Sequence, residues 1–184
     1  MPALIAFLRG INVGGSHRVP MADLRALLDG LRLRNVQTYL LSGNALFKSD
    51  EKDLPQLSER IATALERKFG FRIGVVLRTQ EDLEAVVASN PFAHSAGVEP
   101  AKLVVFFLPK VLEKAKRDEI AQLKLGREDI RFGKRELYIY FPDGQGRSKL
   151  PAALDRILKK SATARNWNTV AKVLELASKL EKHS

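Results

Sequence analysis

The sequence predicts an α+β fold: two successive βαββαβ units with antiparallel sheets and an extra C-terminal helix. Three observations carry that expectation. Apolar runs of strand length alternate with amphipathic stretches of helical length. Gly, Pro and Asn punctuate them at the right places. The same order of elements then recurs in both halves of the 184 residues.

In the first half, residues 3–8 (ALIAFL) read as a buried strand. Pro20 suits the first turn of a helix, and Met21, Leu24, Leu27, Leu28 and Leu31 recur at helical spacing. Residues 35–41 alternate as a strand, Ser42-Gly43-Asn44 signals a hairpin turn, and residues 45–48 return. An amphipathic helix over 54–69 is ended by Gly70, and residues 71–78 form the next strand.

The second half begins with a short helix over 81–88 and the turn Asn90-Pro91-Phe92. A dense apolar strand at 102–108 leads to a charged helix over 110–125. A hairpin follows, 129–132 and 136–141, around Gly133-Lys134. A helix at 151–160, a short strand at 162–165 and a closing helix at 167–180 complete the order. The halves share element order without detectable sequence similarity. The expected division is 1–88, a linker at 89–101, and 102–184 with its added helix.

Composition narrows the chemistry. There are no cysteines, which removes disulfides, thiolate nucleophiles and zinc–sulfur sites. His17, His94 and His183 lack metal-ligand spacing, so no metal site is expected. No signal-peptide core and no spanning apolar run stands out, which makes the cytoplasm the expected location, with no membrane partner. The net charge of +10 is uneven. Residues 1–101 carry 12 Lys/Arg against 11 Asp/Glu, a net of +1, and residues 102–184 carry 19 against 10, a net of +9. That asymmetry points to an anionic partner for the second half.

Topology then groups the polar loops. In a βαββαβ unit the first strand ends at the edge where the second and third strands turn. Arg9, Asn12, Gly14 and Gly15 should therefore neighbour Ser42, Gly43 and Asn44. In the second half, the loop PDGQGRSK, with Arg147, Ser148 and Lys149, should share an edge with Arg165, Asn166 and Trp167. The opening loop is a poor P-loop. Gly10 and Gly15 have the spacing, but Ser16 stands at the lysine position, His17 at the magnesium-binding hydroxyl, and the helix begins too late. Two readings remain, a backbone nest for an anion beside Arg9 or a glycine-rich connection without a ligand.

Similar pairs of readings apply elsewhere. Ser42-Gly43-Asn44 fits turn chemistry as well as a ligand site. Ser148 fits a helix cap as well as an anion contact, and Asn166 or Asn168 fits a cap. Trp167 serves either as a core anchor or as a stacking platform beside Arg165. The βαββαβ order is also that of RNA-recognition modules, yet Phe7 and Phe47 lack the required motif around them. Tyr138 and Tyr140 share one strand face and fit either packing or base stacking. No Ser–His–Asp or paired-carboxylate constellation stands out, and nothing orients His17 as a base towards Ser42 or Asp23.

LRGINVGG, TYLLSGNALF, NPF, LYIYFPDGQGRSKL and TARNWNTV occur in this order from Leu4 to about Leu176. Together they resemble a widespread bacterial family known only as a domain of unknown function, DUF1697. The resemblance implies two ferredoxin-like α/β plaits in tandem and no established activity or cofactor. Its motif positions correspond to Arg9, Gly10, Asn12, Gly14 and Gly15, to Ser42, Gly43 and Asn44, to Arg147, Ser148 and Lys149, and to Arg165, Asn166, Trp167 and Asn168. Leu41 stands where Gln is usual, and Ala164 where a second Thr often precedes the Arg.

The leading expectation is a binder of an anionic, phosphate-bearing small molecule. In it Arg9, Arg147, Lys149 and Arg165 are the anion contacts, and Asn12, Ser42 and Asn44 orient the ligand. The alternatives are a nucleic-acid-binding module using the basic half, and a structural protein whose polar motifs hold the fold.

Overall fold

The computed structural model describes residues 1–182, so His183 lies outside the described residues. Eight strands and six helices run in the order β1 (Ala3–Leu8), α1 (Met21–Gly30), β2 (Arg34–Tyr39), β3 (Asn44–Lys48), α2 (Leu54–Phe69), β4 (Val75–Thr79), α3 (Gln80–Ala88), β5 (Leu103–Phe107), α4 (Lys114–Ala121), β6 (Asp129–Phe132), β7 (Glu136–Tyr140), α5 (Leu150–Ile157), β8 (Thr163–Asn166) and α6 (Trp167–Lys182). They build two four-stranded antiparallel sheets, ordered β2-β3-β1-β4 and β6-β7-β5-β8. Each is a ferredoxin-like plait, as the element order predicts. By internal contacts the described residues divide into 1–84 with 172–182, and 85–171.

In the first unit, alternate residues of β1 face two ways. Leu4, Ala6 and Leu8 join Phe47, Leu24, Leu28, Leu57, Ile61 and Leu65 in one core. α1 and α2 thus cover one face of the sheet. α2 begins at Asp53, whose carboxylate accepts from the Gln56 N–H at 2.9 Å, and ends at Gly70 with φ 82°. Burying Leu57, Ile61 and Leu65 contributes roughly 1.5–3 kcal/mol each.

In the second unit Val104, Phe106 and Leu108 pack with Ile120, Leu137, Ile139, Phe141, Leu150, Leu154 and Leu158. The Asn90-Pro91-Phe92 segment is anchored on this unit. The Arg131 guanidinium sits 4.0 Å from the Phe92 ring centre and donates to the Pro91 carbonyl at 2.6 Å.

Several elements differ from the sequence expectation for local reasons. β4 starts at Val75 rather than residue 71. Arg72 is drawn back to Glu59 and Glu66 on α2, and the Gly74 carbonyl accepts from the Arg9 N–H outside the ladder. α4 is two turns, not four, because Leu112 and Leu123 reach the core from coil on either side of it. The β2–β3 connection is a four-residue loop, Leu40–Gly43, and Asn44 is already the first residue of β3. Among the described residues no helix is long and apolar enough to cross a membrane.

Candidate functional site

The polar residues singled out in the sequence fall in two places, one in each unit. In the first unit, the ends of β1 and β2 and the start of β3 meet at one sheet edge. The Leu8 N–H donates to the Gly43 carbonyl at 2.8 Å, which brings the two loops together. Asn12 holds them. Its side-chain amide donates to the carbonyls of Val19 (2.9 Å) and Leu41 (2.8 Å), and its oxygen accepts from the Val19 N–H (2.8 Å). Val13 and Ser16 form a bridge across Gly14 and Gly15, both with positive φ, which is the backbone of a type I′ turn. The tip, residues 13–18, is exposed.

Asn44 is fully buried and donates to the Tyr39 carbonyl (2.7 Å) and to Ser42 Oγ (3.2 Å). Gly43 has φ 86°, and a Cβ there would lie 2.6 Å from Ile11 Cδ1 and 2.8 Å from Leu8 Cβ. Its glycine is demanded twice, by conformation and by space. Arg9 is half-buried at the same edge. The His17 ring packs tilted against Phe71, with ring centres 4.5 Å apart.

In the second unit, Arg147, Ser148 and Lys149 line a cavity of about 250 Å³ with Arg127, Glu128 and Asp143. The hairpin register explains the company, because Asp129 at the start of β6 pairs with Tyr140 at the end of β7. Residues just before β6 must therefore adjoin those just after β7. The sequence reading missed Arg127, Glu128 and Asp143, although that hairpin was legible.

Arg127 forms a two-point ion pair with Asp143, and Ser148 Oγ donates to Glu128. Ser148 also accepts from the Leu150 N–H at 3.0 Å, which steadies the entry to α5. The hydrogen bond from Arg127, and then its charge, hold the Asp143 carboxyl below the usual carboxylate range. Arg147 and Lys149 are exposed and form no salt bridge among the described residues.

Arg165, Asn166 and Trp167 do not line this cavity. They share its sheet edge, but β5 lies between β7 and β8, so the ends stand two strands apart, roughly 10 Å. Asn166 accepts from the Thr169 N–H at 2.9 Å and so caps α6. Arg165 is 8% exposed, and burial pulls its guanidinium down to about 10. Trp167 is half-buried. The other aromatics are also accounted for. Phe7 and Phe47 are fully buried, Tyr138 donates to the Val86 carbonyl, and Tyr140 donates to the Gly97 carbonyl. Among the described residues no group of three or more His, Asp or Glu stands close enough to hold a metal ion.

Comparison with known proteins agrees with this architecture. No curated protein matches the sequence. The chain is similar to a solved structure described as a conserved bacterial protein, SP0830 from Streptococcus pneumoniae. The two are 27% identical with a TM-score of 0.80, over 97% of this chain and 99% of that one. A family model, "Protein of unknown function (DUF1697)", matches residues 1–138, which include the whole Asn12–Asn44 cluster and stop short of the Arg147 loop. With three-quarters of its length matched, the chain belongs to the DUF1697 family.

Proposed function

We propose that the protein binds a phosphate-bearing small molecule in the cavity beside α5. The observation that carries this reading is the cavity's charge. Three cations and two carboxylates line it: Arg127 pairs with Asp143, Glu128 accepts from Ser148, and Arg147 and Lys149 form no salt bridge among the described residues. A concave site whose lining carries net positive charge concentrates anions. A guanidinium beside an ammonium then offers both fork-shaped and point contacts to phosphate oxygens. The volume suits a phosphate with a small organic group rather than a large cofactor.

The first-unit cluster is read differently. The Asn12 side chain bonds Val19 and Leu41, and that of Asn44 bonds Tyr39 and Ser42, which ties the loops they join. That usage favours a structural role for Asn12, Gly14, Gly15, Ser42 and Asn44, with Arg9 as part of the same edge.

Calorimetric titration with inorganic phosphate, sugar phosphates and nucleoside monophosphates tests the proposal. Charge-assisted contacts are worth about 1.5–3 kcal/mol each, so Arg147→Ala with Lys149→Ala should weaken binding at least about tenfold. Equal binding by the double variant, or no binding by the parent protein, would overturn it.

A further inference from the structure

We infer that the exposed face of α5 is a track for the phosphodiester backbone of a nucleic acid. The cavity at Arg147 is the first of three hollows in series. Lys149 also lines an open groove of about 850 Å³ along α5, with Ala152, Asp155, Arg156, Lys159 and Lys160. Lys159 in turn lines a third hollow of about 290 Å³, to which Lys110 and Lys116 contribute. Shared lysines therefore join all three, and every lining residue belongs to the second unit.

The three linings carry eight cations against four carboxylates, Glu128, Asp143, Asp155 and Glu113. Two of those carboxylates are engaged by Ser148 and Arg127.

Length decides between a small anion and a polymer. From Leu150 to Ile157 the helix extends about 12 Å, at a rise of about 1.5 Å per residue. One strand of a duplex places a phosphate about every 3.4 Å of duplex axis, so about three phosphates fit alongside. A mononucleotide would occupy only the first hollow. Phe141 is buried, and the three linings contain no other aromatic residue. Recognition is therefore of the backbone, without base stacking or sequence readout.

A second observation stands apart from the charge count. α5 ends in a Schellman closure, the Lys160 N–H donating to the Asp155 carbonyl at 2.8 Å and the Lys159 N–H to the Arg156 carbonyl at 3.4 Å. The left-handed position of that motif usually holds glycine. Here it holds Lys159 at φ 51°, followed by Lys160 at φ 55°. Two successive lysines are kept in a conformation that costs a side-chain-bearing residue energy, and both face the groove.

The inference rests on the anion reading only at its Arg147 end. Fluorescence anisotropy of the full chain with labelled oligonucleotides of about 2 and about 24 residues tests it, with duplex and single strand in separate arms of the longer probe. With about four cations engaged, affinity for the longer single strand should fall about 50-fold between about 50 and about 200 mM salt. Arg156→Gln, Lys159→Asn and Lys160→Asn together should remove at least about tenfold of that affinity and flatten the salt slope by about two. Asn tolerates the left-handed backbone, and an unchanged melting temperature verifies the fold.

Oligonucleotide binding lost in this triple variant, with mononucleotide binding intact, supports the track. Oligonucleotide binding without any mononucleotide binding, and still lost in the triple variant, sinks the small-molecule reading and keeps the track. Equal affinity for the about 2- and about 24-residue probes overturns it. So does an unaffected triple variant, or poly-glutamate binding as tightly as the oligonucleotide.

Discussion

The two plaits repeat one backbone plan down to single positions, yet they use their loops in opposite ways. Ile5 of β1 pairs with Arg78 of β4, and Val105 of β5 pairs with Arg165 of β8. Both arginines are buried and each donates to the preceding carbonyl, Leu77 at 2.9 Å and Ala164 at 2.8 Å. Phe7 pairs with Asn44 and Phe107 with Glu136, both buried polar residues at the start of a third strand. Leu8 donates to Gly43 and Leu108 to Arg135. Caps follow suit: Thr79 and Asp82 bond reciprocally at α3, while Asn166 meets the Thr169 N–H at α6.

Only the edges differ. The first unit uses Asn12 to close its loops; the second leaves Arg147 and Lys149 around a cavity with no salt bridge among the described residues. A repeated scaffold thus constrains the buried pairs and leaves charge at the loops free to diverge.

The sharpest test of that contrast is Gly43→Ala. Positive φ and a Cβ overlapping Leu8 and Ile11 together should cost about 3 kcal/mol or more in urea unfolding. Asn12→Ala should cost about 2 kcal/mol by the same measurement, because it strands the Val19 N–H. Phosphate binding should survive that change. The reverse pattern is expected of Arg147→Ala with Lys149→Ala: stability within about 0.5 kcal/mol of the parent, binding lost. Both pairs lowering stability alike would erase the difference between the units.

Smaller effects refine it. Lys159→Gly relieves a left-handed residue and should stabilise by about 0.5 kcal/mol, net of glycine's entropy, while weakening oligonucleotide binding. Last comes Glu175 on α6. Hydrogen bonds from Lys179 and then Lys172 lower its carboxyl to about 2. A lowered folded-state value means the stabilisation is present above the unfolded value, about 4.3, and is lost as pH falls towards about 2. Glu175→Gln should flatten the acid limb of a stability–pH curve within that window, slightly, since the group is exposed and screened.

Much of this was legible because its causes are local. Gly70 at a helix end, the 57-61-65 stripe on α2 and the Gly133-Lys134 hairpin each announce themselves within a few residues. The approach of Asn12 to the β2–β3 loop was also legible, through strand topology rather than proximity. Arg127, Glu128 and Asp143 escaped notice because their meeting depends on register: only the pairing of Asp129 with Tyr140 puts 127 beside 143. The burial of Arg165 was hidden for a similar reason. Asn166 and Thr163 near it are polar, but strand alternation sets Arg165 on the sheet face opposite Ala164, where it is buried.

By itself the sequence determined the element order, the doubled plait and the concentration of positive charge in residues 102–184, since periodicity, turn chemistry and composition are one-dimensional properties. Tertiary structure alone decided which polar residues became fold and which became surface. Asn12 and Lys149 are equally polar in the sequence. What separates them is whether a carbonyl from a distant loop arrives within hydrogen-bond distance, and that depends on register and packing.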